Sequence, residues 1–384
     1  MKVILNTESL FKLSGGIGNY TRHLLSGLLK SRDIDKVNCY SIGKHVECPS
    51  ETFFKKKIVG EKSLTDKLRE KVRSLPFVYD IFARYRGISF YINTRRDDDA
   101  IYHEPNIILK PFVGKTISTI HDLSHLNFPQ FHPKERVRFM SQMLDKTINQ
   151  ASHIITDSPF IRNEIIEYSG ISSKRITAIP LGVDENYHPY DVNDIIATLA
   201  KYKLQPNKYL LSVSTIEPRK NIEALLDAYM NLGKQLRREY PLVLVGSEGW
   251  NVSDLMKRID TLVGKGEMIR LGYVSDYELP FLYSGAYGFA YVPVYEGFGL
   301  PPLEALACGT PVLTSNVSSI PDVVGNAAIL VNPYDVDGIK VGLERLLTDS
   351  EWRADSILKS PVQAKKFSWD NCVDETINVY KRIS

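Results

Sequence analysis

The chain has 384 residues, too many for one ordinary core, and its 43% hydrophobic and 24% charged residues exclude both the disordered and the membrane-embedded classes. Its 48 basic side chains against 45 acidic ones leave a formal charge of +3, which excludes the global positive field of a nucleic-acid binder. Cys39, Cys48, Cys308 and Cys372 form no CxxC pair, which argues against a thiolate metal site and a disulfide framework, and no apolar run reaches the roughly 18 residues of a spanning helix.

The opening MKVILN is too short an apolar run for a secretory signal and reads as a buried first strand, so a cytoplasmic chain is expected. Short β-branched runs then alternate with amphipathic stretches: KVILN with Ile17–Lys30, KTISTI with Pro133–Gln150, HIITDS with Pro159–Ser169, then RITAIP. That alternation predicts βαβ units and a parallel sheet. Beyond Pro180 the rhythm lapses into GVDENYHPYD, which places a hinge near Leu181–Pro189.

The second half resumes with strand Tyr209–Val213 and helix Asn221–Glu239. Strand Leu242–Val245, helix Val252–Val263, strand Met268–Leu271 and helix Asp276–Ser284 are expected next. Strand Gly288–Tyr291, a helix through Pro301–Cys308 and strand PVLTS complete the half. The expected organisation is two Rossmann-like, doubly wound α/β domains, 1–185 and 190–367, with a last amphipathic helix at 368–384 that can pack back on the first. Open parallel sheets bind ligands beyond the carboxyl ends of their strands, so two such domains are expected to face a central cleft lined by post-strand loops.

The most informative segment is PVYEGFGLPPLEALACGTPVLTS, in which Glu296 and Glu304 stand eight positions apart around a Gly-Phe-Gly turn. The amides of Gly297, Phe298, Gly299 and Leu300 fall at a helix N-terminus, where a diphosphate or a sugar hydroxyl binds well. A helix carboxylate can accept two hydrogen bonds from the vicinal hydroxyls of a ribose, and one in the loop can do the same for a pyranose. Arg219 and Lys220, in STIEPRKNIEALLDAY, sit where a strand ends. Two cations there can neutralise a departing diphosphate without a metal, and no metal ligand set is predicted.

In the first half, LSGGIGNYTRHLL puts Gly15, Gly16 and Gly18 between a strand and a helix, a phosphate-cradling layout. The third glycine of GxGxxG is missing and no GKS or GKT follows, which argues against a dinucleotide fingerprint and a P-loop. His121 and Asp122 follow the strand KTISTI at the same edge of the sheet. Asp97, Asp98 and Asp99, directly after Arg95 and Arg96, read as an exposed charged loop.

These residues resemble family 4 of the retaining glycosyltransferases, of GT-B fold, and among them the bacterial O-antigen and polysaccharide mannosyltransferases. The likeness runs through Gly15–Gly18, the His121-Asp122 step, ITAIPLGVD, EPRKN, the Glu296/Glu304 pair and CGTPVLTS, and leaves Asn38–Asp99 and the C-terminal tail unmatched. It implies that Arg219 and Lys220 bind the donor diphosphate, Glu304 the ribose, and Glu296 with the Gly297–Leu300 amides the transferred sugar. Gly16 is implied to approach the phosphates, and His121 the donor sugar near its reacting carbon. The sequence departs at SSIPDVVG, where Ser318, Ser319 and Asp322 stand in place of a glycine pair and a glutamate, and a changed local contact is expected.

The implied activity is transfer of a hexose, with mannose from GDP-mannose first and a UDP-sugar-dependent glucosyl or N-acetylglucosaminyl transfer second. A degenerate, non-catalytic sugar-nucleotide-binding scaffold would lack donor residues that this chain retains. The implied reaction is retaining, by front-face attack, with no cofactor beyond the nucleotide sugar and no metal. The expected acceptor is a saccharide on a polyprenyl diphosphate lipid in lipopolysaccharide or O-antigen biosynthesis, beside other polysaccharide-assembly enzymes. Between Lys55 and Arg86, cations such as Lys55, Lys67, Arg73 and Arg86 outnumber acids and alternate with Leu64, Leu68, Val72, Ile81 and Phe82, which predicts a peripheral contact with an anionic membrane.

Overall fold

Parallel strands organise both halves of the chain, as the β-branched runs predict. The computed structural model describes residues 1–11, 15–48 and 78–384. These divide into two units, Met1–Leu181 with Trp369–Ser384, and Gly182–Ser368. Most of the basic segment proposed for membrane contact, Lys55–Phe77, lies outside the described residues.

Unit 1 contains a seven-stranded sheet of β1 (Lys2–Asn6), β2 (Lys36–Ser41), β3 (Lys44–Val46), β4 (Ile101–Glu104), β5 (Lys115–Ile120), β6 (His153–Thr156) and β7 (Ile176–Ala178), in the order β3-β2-β1-β4-β5-β6-β7. Only the β2–β3 hairpin pairs antiparallel among these strands. The order reverses between β1 and β4, whose adjacent carboxyl ends carry Asn6 and Glu104. The buried Glu104 carboxylate accepts from Asn6 Nδ2 at 2.8 Å, from Tyr102 Oη at 2.6 Å and from Lys110 Nζ at 2.8 Å, so its charge is compensated.

The C-terminal helix Trp369–Ile383 belongs to unit 1, where it packs on helix Gly16–Lys30. Trp369 stacks on His23 with ring centroids 4.3 Å apart. A Cβ at Gly27 would lie 2.6 Å from both methyl carbons of Val373, so the absence of a side chain permits the helices to approach.

Unit 2 contains β8 (Leu210–Val213), β9 (Leu242–Val245), β10 (Met268–Gly272), β11 (Gly288–Tyr291), β12 (Val312–Ser315) and β13 (Ala328–Val331), ordered β10-β9-β8-β11-β12-β13 and parallel throughout. Its core joins Leu210, Leu242 and Leu244 of the sheet to Leu225, Leu226 and Tyr229 from one helix and Ile339, Leu343 and Leu346 from another. The order reverses between β8 and β11, paired through Gly288↔Leu210 and Phe289↔Leu211. The loops after these two strands are therefore where a ligand is expected.

Two elements differ from the sequence expectation. The helix expected over Asn221–Glu239 is broken into Ile222–Met230 and Lys234–Glu239, because Asn231 and Gly233 interrupt it while Leu232 turns into the core. The turn-rich linker also runs into a helix, Val192–Lys201, which buries Ile195 and Leu199 and has no counterpart among the elements expected from the sequence.

Candidate functional site

Arg219 and Lys220 lie in a short 3₁₀ turn, Pro218–Lys220, after β8, and not in the helix that follows. Asn221 adopts a left-handed backbone with φ of 56°, and its side chain donates to Val292 O at 3.0 Å and Pro333 O at 2.7 Å. The turn is thereby fastened to the segment leaving β11. Val294 N also donates to Arg219 O at 3.0 Å. The two loops at the switch point are thus held together by backbone and side-chain bonds before any charge is counted.

Glu296 arrives on the β11 loop and meets both cations. Its carboxylate lies 3.2 Å from Arg219 Nη1 and accepts from Lys220 Nζ and from the Tyr291 hydroxyl. Lys220 also donates to Tyr291 Oη at 3.0 Å, and Arg219 donates to the buried Glu217 carboxylate at 3.0 Å and to Tyr295 O at 3.0 Å. Burial opposes ionisation of Glu296, but Arg219 and then Lys220 outweigh it and hold its pKa below the ordinary value. Two cations and two carboxylates therefore share one buried patch.

The glycine turn is fixed from the opposite side. Gly299 has φ of 117°, a left-handed conformation that favours glycine, and it precedes helix Leu300–Ala307, where a Cβ would meet Ile320 Cδ1 at 2.7 Å. Ser318 Oγ accepts from Glu296 N at 3.0 Å, and Ser319 Oγ is placed to donate to Glu296 O at 2.9 Å and Phe298 O at 2.8 Å. The serines that depart from the family pattern thus pin the turn. Ser318 itself has φ of 54°, a backbone that glycine would adopt with less strain.

Glu304 sits one turn into that helix and accepts from Tyr283 Oη at 2.9 Å. Burial first, and then the charges of Asp184 and Asp276, raise its pKa to about 8 against the hydrogen bonds of Tyr283 and Tyr187. Glu296 and Glu304 therefore leave the same eight-residue spacing in different states, one ionised and one protonated near neutral pH. The spacing alone carried no sign of that difference.

In unit 1, His121 follows β5 with both ring nitrogens engaged. Nδ1 is 2.7 Å from Asp157 Oδ2 and Nε2 is 2.9 Å from Pro105 O. The Pro105 carbonyl can only accept, so Nε2 carries a proton, and an ionised Asp157 favours a second proton on Nδ1. Burial disfavours that charge, but Asp157 overcomes it and the pKa of His121 is raised. Burial raises the pKa of Asp157 as well, against the charge of His121, so the two groups titrate as a coupled pair. Nearby His103 is neutral, with a pKa pushed down to about 3 by burial and by His121. Gly15 is extended with open space around its Cβ position, and Gly16 is the first residue of helix Gly16–Lys30.

The sequence reading missed Glu217, Tyr283, Tyr291 and Asp157. Tyr283 and Tyr291 are fully buried and read as core aromatics, and only their hydroxyls distinguish them from phenylalanine. Asp157 precedes the Ser158 cap of helix Pro159–Ser169 and reads as part of that start signal.

Two reversing parallel sheets, with paired cations and carboxylates at the switch point of the second, define a two-domain glycosyltransferase of GT-B type. The family description Glycosyltransferase Family 4 matches residues 14–187, and Glycosyl transferases group 1 matches 197–360. O-antigen chain mannosyltransferase B of Escherichia coli is 36% identical over 381 residues, covering 99% of this chain and 100% of that protein. The O-antigen chain mannosyltransferase RfbU of Salmonella typhimurium is 25% identical, with 96% of each chain covered. Among solved structures, WaaG, a glycosyltransferase involved in lipopolysaccharide biosynthesis, superposes with a TM-score of 0.70 at 15% identity over 99% of each chain. The Anabaena protein HepE in complex with UDP-glucose gives 0.69 at 15% identity over 100% of both chains. The chain belongs to glycosyltransferase family 4, and it is an enzyme of glycosyl transfer.

Proposed function

We propose that the protein transfers mannose from GDP-mannose, with retention of anomeric configuration, to a saccharide carried on a polyprenyl diphosphate lipid during O-antigen assembly. The observation that carries the chemistry is the convergence of Arg219, Lys220 and Glu296 on one buried patch at the switch point of unit 2. The choice of mannose rests on end-to-end likeness to a mannosyltransferase at 36% identity.

On this reading Glu304 receives the ribose hydroxyls, and Glu296 with the Gly297–Leu300 backbone receives the hydroxyls of the hexose. As the glycosidic bond breaks, negative charge gathers on the departing diphosphate, where Arg219 and Lys220 neutralise it without a metal. The acceptor hydroxyl attacks on the face from which the diphosphate leaves, and a departing phosphate oxygen takes its proton. No cofactor is needed. His121 is held in a fixed orientation in unit 1 by Asp157 and the Pro105 carbonyl on its two ring nitrogens.

A peripheral, cytoplasmic-face location belongs to the same reading. All four cysteines are free thiols, as a reducing compartment favours, and no helix among the described residues is long and apolar enough to cross a membrane. Ile81, Phe82, Tyr85, Ile88 and Ile92 of helix Val78–Thr94 are each more than half exposed, an apolar set suited to a headgroup layer. Arg86 is less available than the sequence suggests, because it pairs with Glu8 at 2.7 Å. Sedimentation with anionic vesicles tests the contact, which replacement of Ile81, Phe82 and Ile88 by Ser should abolish.

A UDP-sugar donor is the second reading, favoured by the likeness to HepE in complex with UDP-glucose. A panel of GDP-, UDP- and ADP-sugars, assayed for nucleoside diphosphate release with acceptor present, separates the two. GDP-mannose is expected to be the best substrate, and preference for a UDP-sugar would replace it.

A further inference from the structure

Arg219 and Lys220 are both engaged by carboxylates of their own unit. Lys220 gives its ammonium to Glu296 and Tyr291, and Arg219 divides its guanidinium between Glu296 and Glu217. The four charged groups sum to zero; Glu217 and Glu296 are buried, and the two cations are mostly shielded, the most exposed being Arg219 at 14%. A diphosphate cannot be added to such a patch without competing for the cations. At this depth a carboxylate that loses its partners is costly, unless hydrogen-bond donors replace them.

We propose that Glu296 is an internal competitor of the donor diphosphate, so that this site favours an intact nucleotide sugar over the bare nucleoside diphosphate. This rests on the nucleotide-sugar reading of unit 2. A whole donor takes Arg219 and Lys220 with its diphosphate and offers sugar hydroxyls as new donors to Glu296. The bare diphosphate takes the same cations and leaves the carboxylate short of partners. Tyr291 is the positioning residue of the exchange: its hydroxyl bonds both Lys220 and Glu296, and it keeps the carboxylate in place when the ammonium turns to phosphate. After transfer, Glu296 reclaims the cations and assists release of the nucleoside diphosphate.

Calorimetric titration of GDP and GDP-mannose into the full chain and into Glu296→Gln tests this. Removing the competing charge should tighten GDP about five-fold or more, which is ~1 kcal/mol, while GDP-mannose gains nothing or weakens because its sugar loses an ionic acceptor. The preference of the unmodified protein for GDP-mannose over GDP should therefore shrink or invert in the variant. Unchanged or weaker GDP binding by a Glu296→Gln protein of normal melting temperature overturns the proposal. Should that variant not fold, the unmodified protein still decides, because GDP binding as tightly as GDP-mannose contradicts it. UDP and UDP-glucose serve as the pair if guanine is the wrong base. Failure of every nucleotide and nucleotide sugar to bind overturns the site reading itself, a different result from the loss of discrimination.

Discussion

Tyr283 donates its hydroxyl to Glu304 Oε2 at 2.9 Å, and Asp184 and Asp276 add negative charge near this buried carboxyl. The Glu304 carboxyl, with its pKa raised to about 8, is protonated at neutral pH, whereas a ribose diol needs an ionised acceptor for two hydrogen bonds. Donor binding should then release one proton. The affinity for GDP-mannose is expected to rise roughly ten-fold per pH unit from ~6 to ~8 and to level off above, as single-proton linkage requires. Glu304→Gln should flatten the profile and weaken binding. Titrations across this range check it, and a flat profile in the unmodified protein removes Glu304 from the ribose site.

His121 and Asp157 make a buried pair with a different pH signature. The pKa of His121 is raised, so its pairing stabilises the fold fully below the ordinary value of ~6.5 and fades as pH rises through the raised value. His121→Ala leaves the Asp157 carboxylate buried without its partner, which should cost about 3–5 kcal/mol in denaturant unfolding at neutral pH. The double change His121→Ala with Asp157→Ala should recover part of that loss. A single variant as stable as the parent contradicts a stabilising pair between His121 and Asp157.

The docking of the C-terminal helix on unit 1 can be tested at one glycine. In Gly27→Leu the new Cβ falls 2.6 Å from the Val373 methyl carbons, and the helices must separate. Overpacking of this kind costs about 1–3 kcal/mol. The melting temperature should fall, and limited proteolysis should reach the segment from Trp369 onward sooner. Unchanged proteolysis would mean that the close contact of the two helices adds little.

Much of this architecture is legible in the sequence, because buried parallel strands are written as short β-branched runs and their helices as amphipathic stretches. Arg219, Lys220 and Glu296 are legible as post-strand residues, and the structure brings them together because β8 and β11 are neighbours. What is not legible is what these groups do to one another. The carboxyl of Glu304 and that of Glu296 look alike in sequence, yet one lies among acids and tyrosines and the other between two cations. The hydroxyl of Tyr291 and the carboxylate of Asp157 are hidden inside strand-end and cap signals that have ordinary structural readings.

In the proposed chemistry Arg219 and Lys220 take the place of a metal ion at the departing diphosphate. Among the described residues no group of three or more His, Cys, Asp or Glu side chains is arranged to hold a metal ion. On the proposed chemistry, turnover with GDP-mannose should survive EDTA undiminished. Activity that disappears in EDTA and returns with Mg²⁺ or Mn²⁺ would mean that a cation shares the work assigned to the two side chains.

The most direct measurement is the turnover of Arg219→Ala and Lys220→Ala with GDP-mannose and acceptor, beside their thermal unfolding. If both cations stabilise the departing diphosphate, each variant should lose some stability, because Glu296 is left with one cation fewer, yet remain folded at the assay temperature while its kcat falls about 100-fold or more, the scale set by loss of one transition-state donor. The nucleotide sugar should still bind, more weakly, through Glu304. Near-normal kcat in both folded variants would place the diphosphate elsewhere and contradict the account of unit 2 as the donor site.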